Sequence, residues 1–182
     1  MSDERDYEKE PLRNRLLVAG MQEIATHGVA DFSLRRVSAA CGISCAAPYK
    51  HFKNKDEFIL EIIRYIRHQW SLLRDDLFRL FCEDARRQLI EVALAYVRFF
   101  ASNPHFRTVL VAAGEDDAHA DLSLPFMRYA DLRGYGEAER RDRLYSLRAT
   151  LYGMTAMLEN GELAGTAEDY SMIRAAIERV LT

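Results

Sequence analysis

The sequence predicts an all-α fold of about nine helices, and three observations predict it. Apolar residues recur at helical spacing along almost the whole chain. No run of residues shows the apolar–polar alternation of a strand. Only nine glycines and four prolines interrupt the 182 residues, so long segments are left free to coil.

Taken in order, residues 1–10 (MSDERDYEKE) read as a solvated, disordered tail. A first helix is predicted over Pro11–His27. Proline suits its first turn, Leu17, Gly20, Met21 and Ile24 form its buried stripe, and Gly28 caps its end. Ser33 is the N-cap of a second helix that buries Leu34, Val37 and Cys41 and stops at Gly42. Ser44 is expected to cap a short third helix over Cys45–His51. Asn54, with Glu57 three residues on, caps a long fourth helix whose face carries Phe58, Ile62, Ile66, Leu73 and Leu77. Further helices are expected over Ala85–Ala101, from Pro104, near Leu124–Leu132, over Glu137–Asn160 and from Ala167. The stretch Gly114–Ser123 reads as a polar loop.

Composition excludes several classes. At 49% apolar and 29% charged residues the chain is globular, and no stretch has the roughly 18 uncharged apolar residues of a membrane span. The acidic N-terminus lacks an apolar run, so no signal peptide and a cytoplasmic location are expected. Cys41, Cys45 and Cys82 have neither disulfide-framework nor zinc spacing. The net charge of −3 hides an asymmetry: residues 11–55 carry seven basic and two acidic groups, while the rest of the chain is acidic. That is the distribution expected when one segment meets phosphate.

The second helix, the glycine turn and the third helix have the lengths of a helix-turn-helix that reads DNA. Gly42 lets the chain reverse, Ile43 is the apolar turn residue, and the predicted helix N-terminus offers N–H groups to phosphate. The segments Gly28–Val37 and Cys41–Phe58, with the pattern G-I-S-x-x-x-x-Y-x-H-F-x-x-K, resemble the TetR (tetracycline-repressor) family over about 50 residues. The resemblance implies that residues 11–58 form a three-helix DNA-binding domain and residues 59–182 a helical effector-binding and dimerisation domain. It implies that Tyr49, His51 and Lys55 contact phosphate and that Arg35 contacts phosphate or a base edge. Cys45, Ala46 and Ala47 would face bases, the alanines through thymine methyls, with Lys50 the reader of guanine. Ser33 and Ser44, the two caps, complete the set. Tyr49 stays open between core packing and phosphate contact, and His51 between phosphate contact and plain surface.

In the C-terminal part, Leu144, Leu147, Leu151, Met154 and Leu158 follow a heptad-like spacing, and Ile173 and Ile177 line the last helix. This stripe is either the chain's own core or, as the resemblance implies, the seam of a homodimer, with Ala149, Gly153 and Ala156 allowing close approach. Trp70, Phe78, Phe81, Tyr96, Phe99, Phe100, Phe106 and Met127 are either solid core or the lining of a pocket for an apolar or aromatic effector. The implied function is a ligand-responsive repressor that binds a palindromic operator as a homodimer. The alternative is a helical protein-interaction module that has kept the fold without DNA binding.

Glu115, Asp116, Asp117, His119 and Asp121 have metal-ligand types but read as a solvated loop. The paired Glu-x-x-His motifs of a di-iron bundle are missing, as are P-loop, nucleophile-elbow and dinucleotide fingerprints. No metal, cofactor or catalytic activity is expected.

Overall fold

The computed structural model describes residues 11–112 and 120–182. The predicted tail at 1–10, Ala113 and residues 114–119 of the predicted polar loop lie outside the described residues. Eight α-helices are present among them: α1 (Pro11–His27), α2 (Leu34–Ala40), α3 (Lys55–Leu80), α4 (Ala85–Ser102), α5 (Pro104–Ala112), α6 (Ala120–Arg133), α7 (Glu137–Glu159) and α8 (Ala167–Val180). A single 3-10 turn, Pro48–Lys50, stands where the third helix was predicted. None of the helices described is long and apolar enough to cross a membrane. The described residues fall into two compact units, 11–69 with 105–112, and 70–104 with 120–182.

In the first unit, α1 turns Leu16, Leu17, Gly20, Met21 and Ile24 inward. Gly28 ends it at φ 77°, a left-handed conformation that costs glycine little. The Ser33 side chain caps α2 by accepting from the Arg36 amide. The first part of α3 buries Phe58, Ile62 and Ile66 completely. Phe58 packs edge-on against Phe52 with ring centroids 4.4 Å apart, and tilts against Phe32 at 5.5 Å. A Cβ at Gly20 would overlap Phe58 Cε1 and lie 2.8 Å from Ile62 Cδ1, so α1 meets α3 where only a glycine fits.

In the second unit, α4 is the central rod. It packs against α6, α7 and α8 and buries residues around most of its circumference, from Ala85 to Phe100. Tyr129 and Tyr135 hydroxyls donate to the Leu181 carbonyl at 2.9 and 3.2 Å, and Arg143 Nη1 donates to the Val180 carbonyl at 2.8 Å. These bonds anchor the end of α8. The helix predicted from Leu124 begins four residues earlier, which leaves Pro125 inside α6 rather than in its first turn. Leu73, predicted to share the buried face of α3, is 39% exposed.

Gly20→Ala is expected to cost about 1–3 kcal/mol, because rings in a close-packed core must shift to admit the methyl. Chemical denaturation reads this as a lower midpoint at unchanged slope; an unchanged midpoint would show that the contact relaxes freely.

Candidate nucleic-acid interface

The candidate surface is the chain from the end of α2 to the start of α3. Gly42, at φ 68°, reverses the backbone after α2. Its amide donates to Ala39 O, and the Ile43 amide donates to Ser38 O, both at 3.0 Å. This pair of bonds is a Schellman closure, which satisfies the last carbonyls of the helix. Arg15 Nη2 donates to the Cys41 carbonyl at 2.9 Å and ties the closure to α1. Burial pushes the Cys41 thiol above its ordinary value, with Arg15 opposing.

The following segment differs from the predicted helix over Cys45–His51. Residues 45–47 form turns, and only Pro48–Lys50 is helical, as a 3-10 turn. Pro48 has no N–H to give the Ser44 carbonyl, so that carbonyl takes the Ala47 amide at 3.0 Å instead. The Lys50 amide bonds Ala47 O at 3.1 Å, and the His51 and Phe52 amides share Pro48 O at 2.9 Å. Pro48 and Phe52 are buried and pin the turn. Ser44, Cys45, Ala46, Tyr49 and Lys50 are exposed, and Ala47 and His51 half-buried. Tyr49, at 58% exposure, is not a core residue.

At the start of α3, Asn54 Oδ1 accepts from the Glu57 amide at 2.8 Å, while the Glu57 carboxylate takes the Lys53 amide. Lys55 Nζ donates to Ala30 O at 3.1 Å and lies 5.9 Å from the centre of the Phe32 ring. Of the ten predicted contact residues, Ser33 is half-buried and used as a cap, and Lys55 is partly engaged with the corner before α2.

The cations of this region divide into two groups. Arg13 pairs with Glu61, Arg15 with the Cys41 carbonyl, and Arg36 with Glu23. Among the described residues, Arg35, Lys50 and Lys53 carry no ion pair or side-chain hydrogen bond. Lys53 was not singled out from the sequence, although its place beside Phe52 in the basic run was a signal. Glu23 was also missed. Burial pushes its carboxyl upward, but the Arg36 hydrogen bond, the Ser33 amide and the charges of Arg36 and His27 outweigh it and hold it below its ordinary value.

The other predicted sites are placed as follows. Leu147, Leu151, Ile173 and Ile177 are fully buried within the chain's own second unit. They leave no surface for a second copy, whereas Leu144, Met154 and Leu158 are half-buried. A groove of about 570 Å³ runs over α7 and α8, lined by Ala149, Gly153, Met154, Met157, Ala176 and Val180 among others. Trp70, Tyr96, Phe99 and Phe100 come together, with Trp70 5.8 Å from Tyr96 edge-on and 5.5 Å from Phe99. Phe78 and Phe81 each lie under a guanidinium, of Arg74 and Arg87. Met127 is 39% exposed, and Phe106 falls in the first unit. Among the described residues no group of His, Cys, Asp and Glu is arranged to hold a metal. Of the loop cluster, residues 115–119 and the side chain of Asp121 lie outside what is described.

Residues 16–62 match the family model for bacterial regulatory proteins of the tetR family. A sequence comparison with curated proteins finds no match. Solved structures share the fold at low identity. The fatty acid degradation regulator FadR from Bacillus halodurans superposes with a TM-score of 0.66 at 16% identity, covering 96% of each chain. A TetR-like transcriptional regulator from Rhodococcus sp. RHA1 gives 0.67 at 14%, covering 93% of this chain and 95% of that one. A TetR-family regulator from Bordetella parapertussis 12822 gives 0.70 at 9%, covering 94% and 95%.

Proposed function

We propose that this chain, whose residues 16–62 match the family model for bacterial regulatory proteins of the tetR family, is a transcriptional regulator that binds a palindromic DNA operator as a homodimer and is released by a small-molecule effector. The observation that carries this reading is the set of exposed residues Ser44, Cys45, Ala46, Tyr49 and Lys50, held by buried Pro48 and Phe52, together with Arg35, Lys50 and Lys53, cations without an ion pair or side-chain hydrogen bond among the described residues. Such a surface offers cations to phosphate and a small-residue face to base edges. Lys50 is assigned to base reading. Lys55 is assigned to phosphate, since its ammonium has three donors and Ala30 O takes one. Arg35, Tyr49 and His51 complete the contact set, with Lys53 added as a further phosphate cation.

The homodimer is supported by the α7–α8 groove, where exposed Ala149 and Gly153 admit a second helix closely. A dimer also doubles a contact surface that is small in one chain. The effector class, apolar or aromatic, is argued from the Trp70–Tyr96–Phe99–Phe100 cluster. Its ligand would bind one conformation better and shift the balance away from the DNA-competent one. A thermal-shift screen in which no compound both raises Tm and weakens DNA binding would remove that part of the reading.

Lys55→Ala is expected to weaken binding to all duplexes and to reduce the salt slope by about 1, and Lys50→Ala to cost about 1–3 kcal/mol at one base position and relax preference there. Fluorescence anisotropy on the upstream DNA and on random duplex checks both; wild-type protein silent on either duplex in dilute salt contradicts the regulator reading. Gly153→Arg is expected to convert a dimer to a monomer in sedimentation, and an unchanged mass would move the interface elsewhere.

A further inference from the structure

The first turn of α2 carries two adjacent arginines, and among the described residues only Arg36 is held by a partner. Arg36 Nε donates to Glu23 Oε1 at 2.7 Å, Nη2 meets the same oxygen, and Nη2 also donates to the Asp31 carbonyl. Glu23 is buried at 9% exposure and further accepts the Ser33 amide at 3.2 Å, with His27 Nε2 3.8 Å from Oε2. Arg35, next in sequence, has no such partner. On a helix the two side chains point about 100° apart, and both are exposed.

We propose that Glu23 is a specificity-determining residue that withholds Arg36 from DNA, so that the first turn of α2 presents one cation to the duplex rather than two. The reason is the burial of the carboxylate. Were Arg36 to swing to a phosphate, it would leave a buried charge with a single backbone donor and a distant imidazole. Arg35 leaves nothing behind when it binds. A phosphate contact adds affinity for every sequence alike, so holding back one cation lowers the non-specific background against which an operator competes. The inference rests on the DNA-binding reading and adds to it a residue, on α1, that touches no DNA.

The test compares wild type, Glu23→Gln, Arg36→Gln and the double variant on a random-sequence duplex across a salt series, with melting curves for each. Glutamine keeps the shape and an acceptor for the Ser33 amide while removing the charge. The expected result is a slope about 0.9 steeper in Glu23→Gln, so that lowering salt from about 200 to 50 mM strengthens its binding about 3.5-fold more than wild type. Arg36→Gln alone leaves the slope unchanged, and the double variant returns to the wild-type value. An unchanged slope in Glu23→Gln, a flatter one in Arg36→Gln, or a steep one in the double variant each overturns the proposal. If Glu23→Gln melts below the assay temperature, the Arg36→Gln arm decides: unchanged supports, flatter overturns. A wild type that binds no duplex fails the regulator reading itself and this inference with it, whereas binding with the wrong slopes fails only the inference.

Discussion

The proposed DNA-reading corner depends on one close approach, α1 against α3 at Gly20. With no Cβ there, Phe58 and Ile62 press against the α1 backbone. Phe58 in turn supports Phe52 and Phe32, the two aromatic residues that bracket α2 and the reading segment. Three buried rings, each removing roughly 150–250 Å² of apolar surface from water, hold a stretch that has little regular structure of its own. A 3-10 turn of three residues has too few hydrogen bonds to persist alone. Its shape is therefore set by tertiary packing, and the exposed residues it carries inherit their positions from that packing.

Polar groups around the corner serve the same end by a different route. Arg15 closes the end of α2, Ser33 opens it, and Glu23 gathers the Ser33 amide and Arg36. Each removes an unsatisfied backbone group or an uncompensated charge, which is costly wherever water is excluded. The result is a basic segment in which some cations are structural and others are available. Net charge alone does not separate the two kinds; partners do.

Much of this was legible in the sequence. Gly28 and Gly42 marked the two left-handed turns, and Ser33 and Asn54 marked helix starts, because those residue types answer local backbone demands. The stripe of α1 followed from its period. What failed to show was non-local. Pro48 lies inside the span expected to be the third helix, and its missing donor leaves the segment as turns and a 3-10 piece. The spacing of Leu147 and Leu151 identifies an apolar face but not whether the same chain or another covers it, and here the chain covers both. The Glu23–Arg36 pair spans 13 residues across a corner, and no periodicity links them.

The central claim is that the packed corner from Ser33 to Lys55 is the surface that grips duplex DNA. Amide hydrogen exchange of the intact protein, with and without saturating duplex from its own upstream region in dilute salt, tests it most directly. Slower exchange is expected, concentrated in peptides spanning Ser33 to Lys55. Saturating DNA that leaves those peptides unchanged, or that slows exchange only in α7 and α8, contradicts it.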